Sequence, residues 1–400
     1  MGILDGITIL DFTQFLSGPT CTMILSDMGA RIIKIERPNK ELSAGPYVGG
    51  ERTYDLSVMR GKKSVTVDMK DPEQRLVFFD LVKEADAVIE NFKPGTMSRM
   101  GVSYEEIKKV NPEIVFASIS GYGQYGPFSN KGALDLVIQA AGGMMSVTGE
   151  EGKPPLKVGI SAADLLTGLY TTVGMLAMLY HKKRTGKGQR LDMAMMDVMT
   201  ACMGEAVVRY CATGEVETRN GNTGKNVAPD GLFQTKDGFA AITAETQEQW
   251  QALCSVLEVP SLAYDPRFSD MKQRQLHAEA CQLALAGIVK NNSTAALVSL
   301  LEEAGVPASP VHTIPEVAEG GQVAARGMLA EVEHPTAGKY RLPNTPLNFS
   351  KTPNRLQGGA PVLGADTREV LKEIGYTDEA INGILEKQRA LRKLFPDYPL

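Results

Sequence analysis

The stretch that most constrains this chain is Val158–Leu179, VGISAADLLTGLYTTVGMLAML. It carries one acid, Asp164, and no further charge until Lys182, Lys183 and Arg184 arrive together. An apolar segment of this length reads as a buried helix. Its basic cluster suits the negative pole of the helix dipole, and Asp164 lies near the positive pole. Ser161-Ala-Ala-Asp164 fits a capping box, in which the acid three residues on reaches back to the N-cap amide. The alternative is a carboxylate held ready at the edge of a site. A membrane span is disfavoured: a central acid costs about 2.5–3.5 kcal/mol there, and glycines and threonines dilute the run. Local sequence leaves Asp164 open between cap and chemistry.

A chain of 400 residues exceeds one ordinary core and predicts about two to three domains. With 43% hydrophobic and 22% charged residues it can fill those cores. A net charge of −5 argues against nucleic acid or an anionic membrane as partner, while leaving room for a local basic pocket for phosphates. Met1–Asp5 lacks the basic start of a signal peptide. Cys21, Cys202, Cys211, Cys254 and Cys281 are scattered without CxxC spacing, as expected of reduced thiols in a cytoplasmic protein. His181, His277, His312 and His334 form no HxxH or HExxH, so no metal is expected. No GxSxG elbow opens a Ser-His-Asp triad.

Residues 7–12, ITILDF, read as a strand, QFLSGPT as a turn, Cys21–Met28 as a helix and RIIKIE at 31–36 as a second strand. This βαβ opening predicts a parallel sheet with a right-handed crossover. Its first turn lacks GxGxxG, so a nicotinamide or flavin dinucleotide is not expected, although Glu36 closes the second strand. Strands at 63–68, 87–90 and 114–119 follow, and Asp71-Pro72 opens a helix. Asn91–Gly95 is a turn at a strand's carboxyl end, where ligands of open α/β sheets bind. SGYGQYGP at 120–127 places three glycines where backbone amides can approach a ligand. Leu191–Met196 reads as a strand and Asp197–Cys211 as a helix. Thr213–Asp230 is polar and glycine-rich, a linker or active-site loop. A hairpin about Lys236-Asp237-Gly238 and a mostly helical stretch, Glu245–Ala304, form a second domain. A further hairpin within Glu331–Ser350 and helix over Asp366–Arg389 close the chain.

Taken in order, several of these segments resemble the class III coenzyme A transferases, the CaiB/BaiF-like group of formyl-CoA and carnitine CoA-transferases. They are DFTQFLSGP at 11–19, DMGARIIKIERP at 27–38, VTVDMKDP at 65–72, ADAVIENFKPGTMSRMG at 85–101, SISGYGQYGP at 118–127, ISAADLLTGLY at 160–170, RTGKGQRLDMAMMD at 184–197 and APVLGADTREVL at 360–371. The resemblance spans nearly the whole chain. It implies that Asp164 is a nucleophile, carrying CoA as an aspartyl thioester between a donor acyl-CoA and a free carboxylic acid. A helix N-terminus would keep that carboxylate ionised. It implies CoA contacts from Arg37, Lys70, Asn91, Phe92, Lys93 and Arg99, with Gln14, Gly121, Tyr122 and Gly123 beside them. CoA is then a substrate, with no tightly bound cofactor.

The implied fold is α/β: a large Rossmann-like domain with a parallel sheet over 1–212, completed by a return segment at 313–400. A linker or active-site loop at 213–230 leads to a smaller α+β domain at 231–312. The resemblance further implies ring-like subunits in an interlocked homodimer. Gln14 and Leu16 depart from the FTHxQAGP pattern of the formyl-CoA transferases, and RNGNTGKNVAPDG at 219–231 lacks their GGGGQ-type run. A carboxylic acid pair other than oxalate and formate is therefore expected. The related acyl-CoA racemases place a histidine where Leu134 stands in GALD, so two-base proton exchange lacks a partner. A non-catalytic CoA-ester-binding protein is the other rival.

Overall fold

The computed structural model describes residues 2–39, 45–224, 226–353 and 356–394. The chain divides into two compact units. One comprises Met1–Met144, Val158–Val208 and Gln322–Leu400, and the other Met145–Lys157 with Arg209–Gly321.

The first unit is built on six strands: β1 (Thr8–Asp11), β2 (Arg31–Glu36), β3 (Lys62–Thr66), β4 (Ala87–Glu90), β5 (Val115–Ser120) and β6 (Arg190–Ala194). They run in the order β3-β2-β1-β4-β5-β6 and every pairing is parallel. This is the doubly wound Rossmann-like order, which reverses direction between β1 and β4. Side chains alternate along each strand, so one sheet feeds two cores. Leu10, Ile33, Val65, Val88 and Phe116 fill one, and Ile9, Ile32, Ile89, Val115 and Ile119 the other.

On the second of these faces lie two helices, α1 (Ser17–Asp27) and α6 (Ala162–Thr185). Between them in the chain come α2 (Thr53–Val58), α3 (Pro72–Glu84), α4 (Tyr104–Val110) and α5 (Asp135–Ala141). Local chemistry sets their starts: Asp71 caps α3 ahead of Pro72, and Ser103 with Glu106 forms a capping box on α4.

The reading of α6 as a buried helix needs correction. By length and composition it passes for a membrane span, and half of its apolar window is buried. The other side leaves Leu169, Tyr170, Val173 and Tyr180 exposed. Its buried threonines, Thr167, Thr171 and Thr172, donate to the carbonyls one turn back, which satisfies their hydroxyls within the helix. The helix expected over Asp197–Cys211 is broken at Met203 into Met195–Cys202 and Gly204–Thr213.

The second unit carries a three-stranded antiparallel sheet, β7 (Asp230–Gln234), β8 (Phe239–Thr243) and β9 (Ala308–Pro310), with β8 in the centre. Its core holds Trp250 edge-on to Phe268 at 5.9 Å. The guanidinium of Arg274, fully buried, donates to the Ala228 and Phe268 carbonyls and to Gln247. Arg219, in the polar stretch before β7, donates to the carbonyls of Glu150 and Lys153. Lys225 of that stretch lies outside the described residues. All five cysteines are free thiols.

Candidate active site

The carboxyl ends of β1 and β4, where the strand order reverses, are where an open α/β sheet binds its ligands. The turn after β1 and the turn after β4 are tied together there. Gln14 N donates to Asn91 Oδ1 at 2.7 Å, and Asn91 Nδ2 donates to Gln14 O at 2.6 Å. The Asn91 side chain is thus spent on holding the two turns in register. Phe92 likewise faces inward, its ring 6.3 Å from that of Phe12.

The turn after β1 rests on Asp11, which is fully buried. Its carboxylate accepts from the Thr13 and Thr22 hydroxyls at 2.6 and 2.7 Å and pairs with Lys34 and Lys62 at 3.2 Å each. Gly18 lets the turn close, since a Cβ there would meet Thr13 Cγ2 at 2.2 Å. The turn delivers Ser17 as the first residue of α1.

Close packing then brings Ser17 to Asp164. A Cβ at Gly168 would meet Ser17 O at 2.7 Å and Thr20 Cβ at 2.9 Å, so α1 and α6 touch through this glycine. Asp164 lies one turn earlier on the same face of α6. The Ser17 hydroxyl and backbone amide are the polar groups that favour its charged form.

The expected capping box at Ser161 is not formed. Ser161 occupies the N-cap position but makes no side-chain cap bond. The free amides of the helix start are met instead by Asp135, whose Oδ1 accepts from Ala163 N at 2.9 Å and Asp164 N at 3.3 Å. Gln139 steadies Asp135, donating to its Oδ2 at 2.7 Å. Sequence reasoning missed Asp135 and Ser17, because a cap supplied from another helix leaves no mark in local spacing.

This arrangement changes the electrostatics expected of a helix N-terminus. Burial first, and the Asp135 charge second, push the Asp164 carboxyl up to about 6, against the opposing pull of Ser17. At neutral pH it remains mostly ionised and more basic than an ordinary aspartate, which suits a nucleophile. Tyr54 shares this environment: burial, then the Asp164 charge, hold its hydroxyl protonated well above the usual tyrosine range.

The glycine-rich loop is used differently from expectation. Gly123 N donates to Ser120 Oγ at 3.0 Å, and Gln124 N donates to the Asp192 carboxylate. These two amides are consumed within the fold. Gly121 allows close packing, since a Cβ there would meet Ala133 Cβ at 2.1 Å, two residues before Asp135. Tyr122 stacks edge-on against Phe128 at 5.7 Å.

The basic candidates are dispersed. Arg37 follows β2 and is exposed, as are Lys70, Lys93 and Arg99. Arg99 donates to Thr96 Oγ1 at 2.7 Å. Lys93 lines a cavity of about 210 Å³ at the ends of β4, β5 and β6, together with Glu90, Ser118, Gln124 and Arg190. Burial raises Glu90 to about 7, against the Ser118 hydroxyl, the Phe92 amide and Arg190. Arg190 is a cation that sequence reasoning did not single out. Among the described residues no cluster of His, Cys, Asp or Glu is arranged to hold a metal ion.

Comparison with known proteins places this geometry. Succinyl-CoA:glutarate CoA-transferase of Mus musculus is 36% identical over 96% of this chain and 88% of its own length. Succinyl-CoA:mesaconate CoA-transferase of Haloarcula hispanica is 38% identical over 94% of this chain and 97% of its own. The crystal structure of a CAIB/BAIF family protein from Brucella suis superposes with a TM-score of 0.84 at 33% identity, covering 93% of this chain and 99% of that one. The model of CoA-transferase family III matches residues 4–367. The chain belongs to CoA-transferase family III, enzymes that move coenzyme A between an acyl-CoA and a carboxylic acid.

Proposed function

We propose that this enzyme exchanges CoA between two carboxylic acids through a covalent aspartyl-CoA thioester on Asp164. The observation that carries this reading is a partly buried carboxylate in the first turn of α6, set beside Ser17 and Asp135 with no cation facing it among the described residues, and burial pushes it up to about 6. Asp164 attacks the thioester carbonyl of the donor, CoA thiolate leaves, and a mixed anhydride forms. The thiolate attacks the aspartyl carbonyl, releasing the donor acid and leaving Asp164 bound to CoA. The acceptor carboxylate reverses both steps, so no water, proton or electron is consumed. Splitting the exchange into acyl transfers is ordinary nucleophilic catalysis.

Arg37, Lys70, Lys93 and Arg99 are the proposed phosphate contacts, each being an exposed cation on a chain of net charge −5. Asn91 and Phe92 shape the turn that presents Lys93. The relatives named above act on succinyl-CoA with glutarate or mesaconate, which supports a dicarboxylic acid as one substrate. An interlocked homodimer is proposed on the apolar side chains left exposed along α5 and α6, Leu134, Leu136, Val137, Leu169, Tyr170 and Val173. A band of this kind calls for a partner surface. Sedimentation at micromolar concentration tests it, and a monomer would refute it.

Intact mass after incubation with a panel of acyl-CoAs tests the chemistry. The expected product is a CoA adduct on the peptide holding Asp164, removed by hydroxylamine and absent in Asp164→Asn. Exchange of α-deuterium without an adduct would overturn the reading in favour of a racemase.

A further inference from the structure

A second and larger cavity, of about 550 Å³, is lined in part by Phe15 of the turn that carries Ser17. Its walls include Phe15, Pro46, Arg52, Tyr54 and Ser57. Two of these lead directly to the nucleophile. Phe15 lies two residues before Ser17, and Tyr54 packs in one apolar cluster with Leu16 and Leu165, the neighbours of Ser17 and Asp164. Volume and lining fit a small-molecule site: mostly apolar walls with one charged group to fix orientation.

That charged group is Arg52. Its Nη2 pairs with Asp55 at 2.8 Å, and its guanidinium carbon lies 4.8 Å from the centre of the Tyr54 ring. Its Nε is buried and has no hydrogen-bond partner among the described residues. A buried donor left unmet is costly, and such groups in folded proteins usually have a reason. Phe15 adds a second sign of function: it holds φ 59°, left-handed backbone for a bulky residue, and the residue is 61% exposed. Strain of this kind persists where a ligand site requires it.

The chemistry selects the ligand. One carboxyl group of the substrate is exchanged at Asp164, where no cation among the described residues assists it. An arginine across the Tyr54 ring offers the planar donor fork that matches a second carboxylate. We infer that Arg52 receives the unreacted carboxylate of a dicarboxylic acid whose other carboxyl is exchanged on Asp164. This rests on the transferase reading above and adds to it the residue that selects the acid. Binding turns the guanidinium so that Nε–H donates to the incoming carboxylate while Asp55 keeps Nη2. A monocarboxylic acid of equal length would leave that donor unmet.

Succinyl-CoA and butyryl-CoA form the test pair, equal in length and differing in a terminal carboxylate against a methyl. The readout is the rate of the hydroxylamine-sensitive CoA adduct in single turnover. In the wild-type enzyme succinyl-CoA should react about 10- to 100-fold faster at subsaturating concentration. Arg52→Gln should bring the ratio of the succinyl-CoA rate to the butyryl-CoA rate to about one, and Arg52→Lys should restore part of it. Equal rates for the two thioesters in the wild type would overturn the inference without any variant. So would an Arg52→Gln enzyme slowed alike on both, while the transferase reading stands. Absence of any adduct in the wild type would remove the aspartyl-thioester reading and this inference together.

Discussion

Asp11 is fully buried under the turn after β1 and Asp164 is half-buried on α6 beside that turn's Ser17, and their surroundings drive the two carboxyls apart. Burial raises both. At Asp11, Lys34 and Lys62 outweigh that rise, with help from the Thr13 and Thr22 hydroxyls, and hold the carboxyl far below its usual range. At Asp164 no lysine or arginine among the described residues answers the burial, and Asp135 adds to it, leaving the group at about 6. The difference teaches that burial does not make a carboxylate reactive. The charge facing it decides: two cations turn Asp11 into a strut, and an acid with a hydroxyl leaves Asp164 basic and available.

The stability consequences have opposite signs. Asp164 binds its proton more tightly when folded, so its contribution is present below the ordinary carboxylate range and is lost as pH rises through about 6. Asp11 binds its proton more weakly when folded, so its contribution is present above the ordinary range and is lost as pH falls.

The largest expected effect comes from removing the proposed nucleophile. Asp164→Asn should slow CoA exchange by at least ~1,000-fold, as loss of a covalent nucleophile does. At pH 8 the same variant should melt higher than the wild type, by roughly 1–2 kcal/mol of added stability. A melting temperature below that of the wild type would break the contrast. Next in size, Asp11→Asn leaves Lys34 and Lys62 buried and unpaired. It should cost about 3–5 kcal/mol in urea unfolding, and a loss under 1 kcal/mol would contradict the strut.

A smaller effect probes how the two ends are joined. Gly168→Ala forces a methyl against the Ser17 carbonyl and should cost about 1–3 kcal/mol. Adduct formation should slow in the fraction that stays folded, because Ser17 moves. Finest of all is Asp135→Asn. Its side-chain oxygen can still accept from Ala163 and Asp164, so α6 keeps its cap while the charge disappears. The pH dependence of adduct formation should then move to lower pH, by about one unit or less. An unmoved profile would remove Asp135 from the account.

Much of the scaffold was legible because its signals are local. Short apolar runs rich in β-branched residues marked β1, β2 and β4, as strands buried on both faces do, and Asp71-Pro72 marked the start of α3. Asp164 itself stood out as the lone acid in an apolar run. Its supports did not, because they are contacts between distant segments. Asp135 caps a helix 28 residues away, so Ser161-Ala-Ala-Asp164 looks like a capping box and does not act as one. Gly168 reads locally as a weak helix former, and only the approach of α1 explains it. Asn91 stands in the motif expected to touch CoA, yet its amide is taken up by the Gln14 backbone. Arg52 was not singled out by the sequence, because what sets it apart is its contact with Asp55 and the Tyr54 ring.

The most direct test of the central claim is the single-turnover rate of adduct formation on Asp164 with succinyl-CoA, followed from pH 4.5 to 8. The account predicts a rate that rises with one deprotonation, half-maximal near pH 6, and is flat above pH 7. A rate already flat down to pH 4.5, or an adduct on another residue, would contradict it.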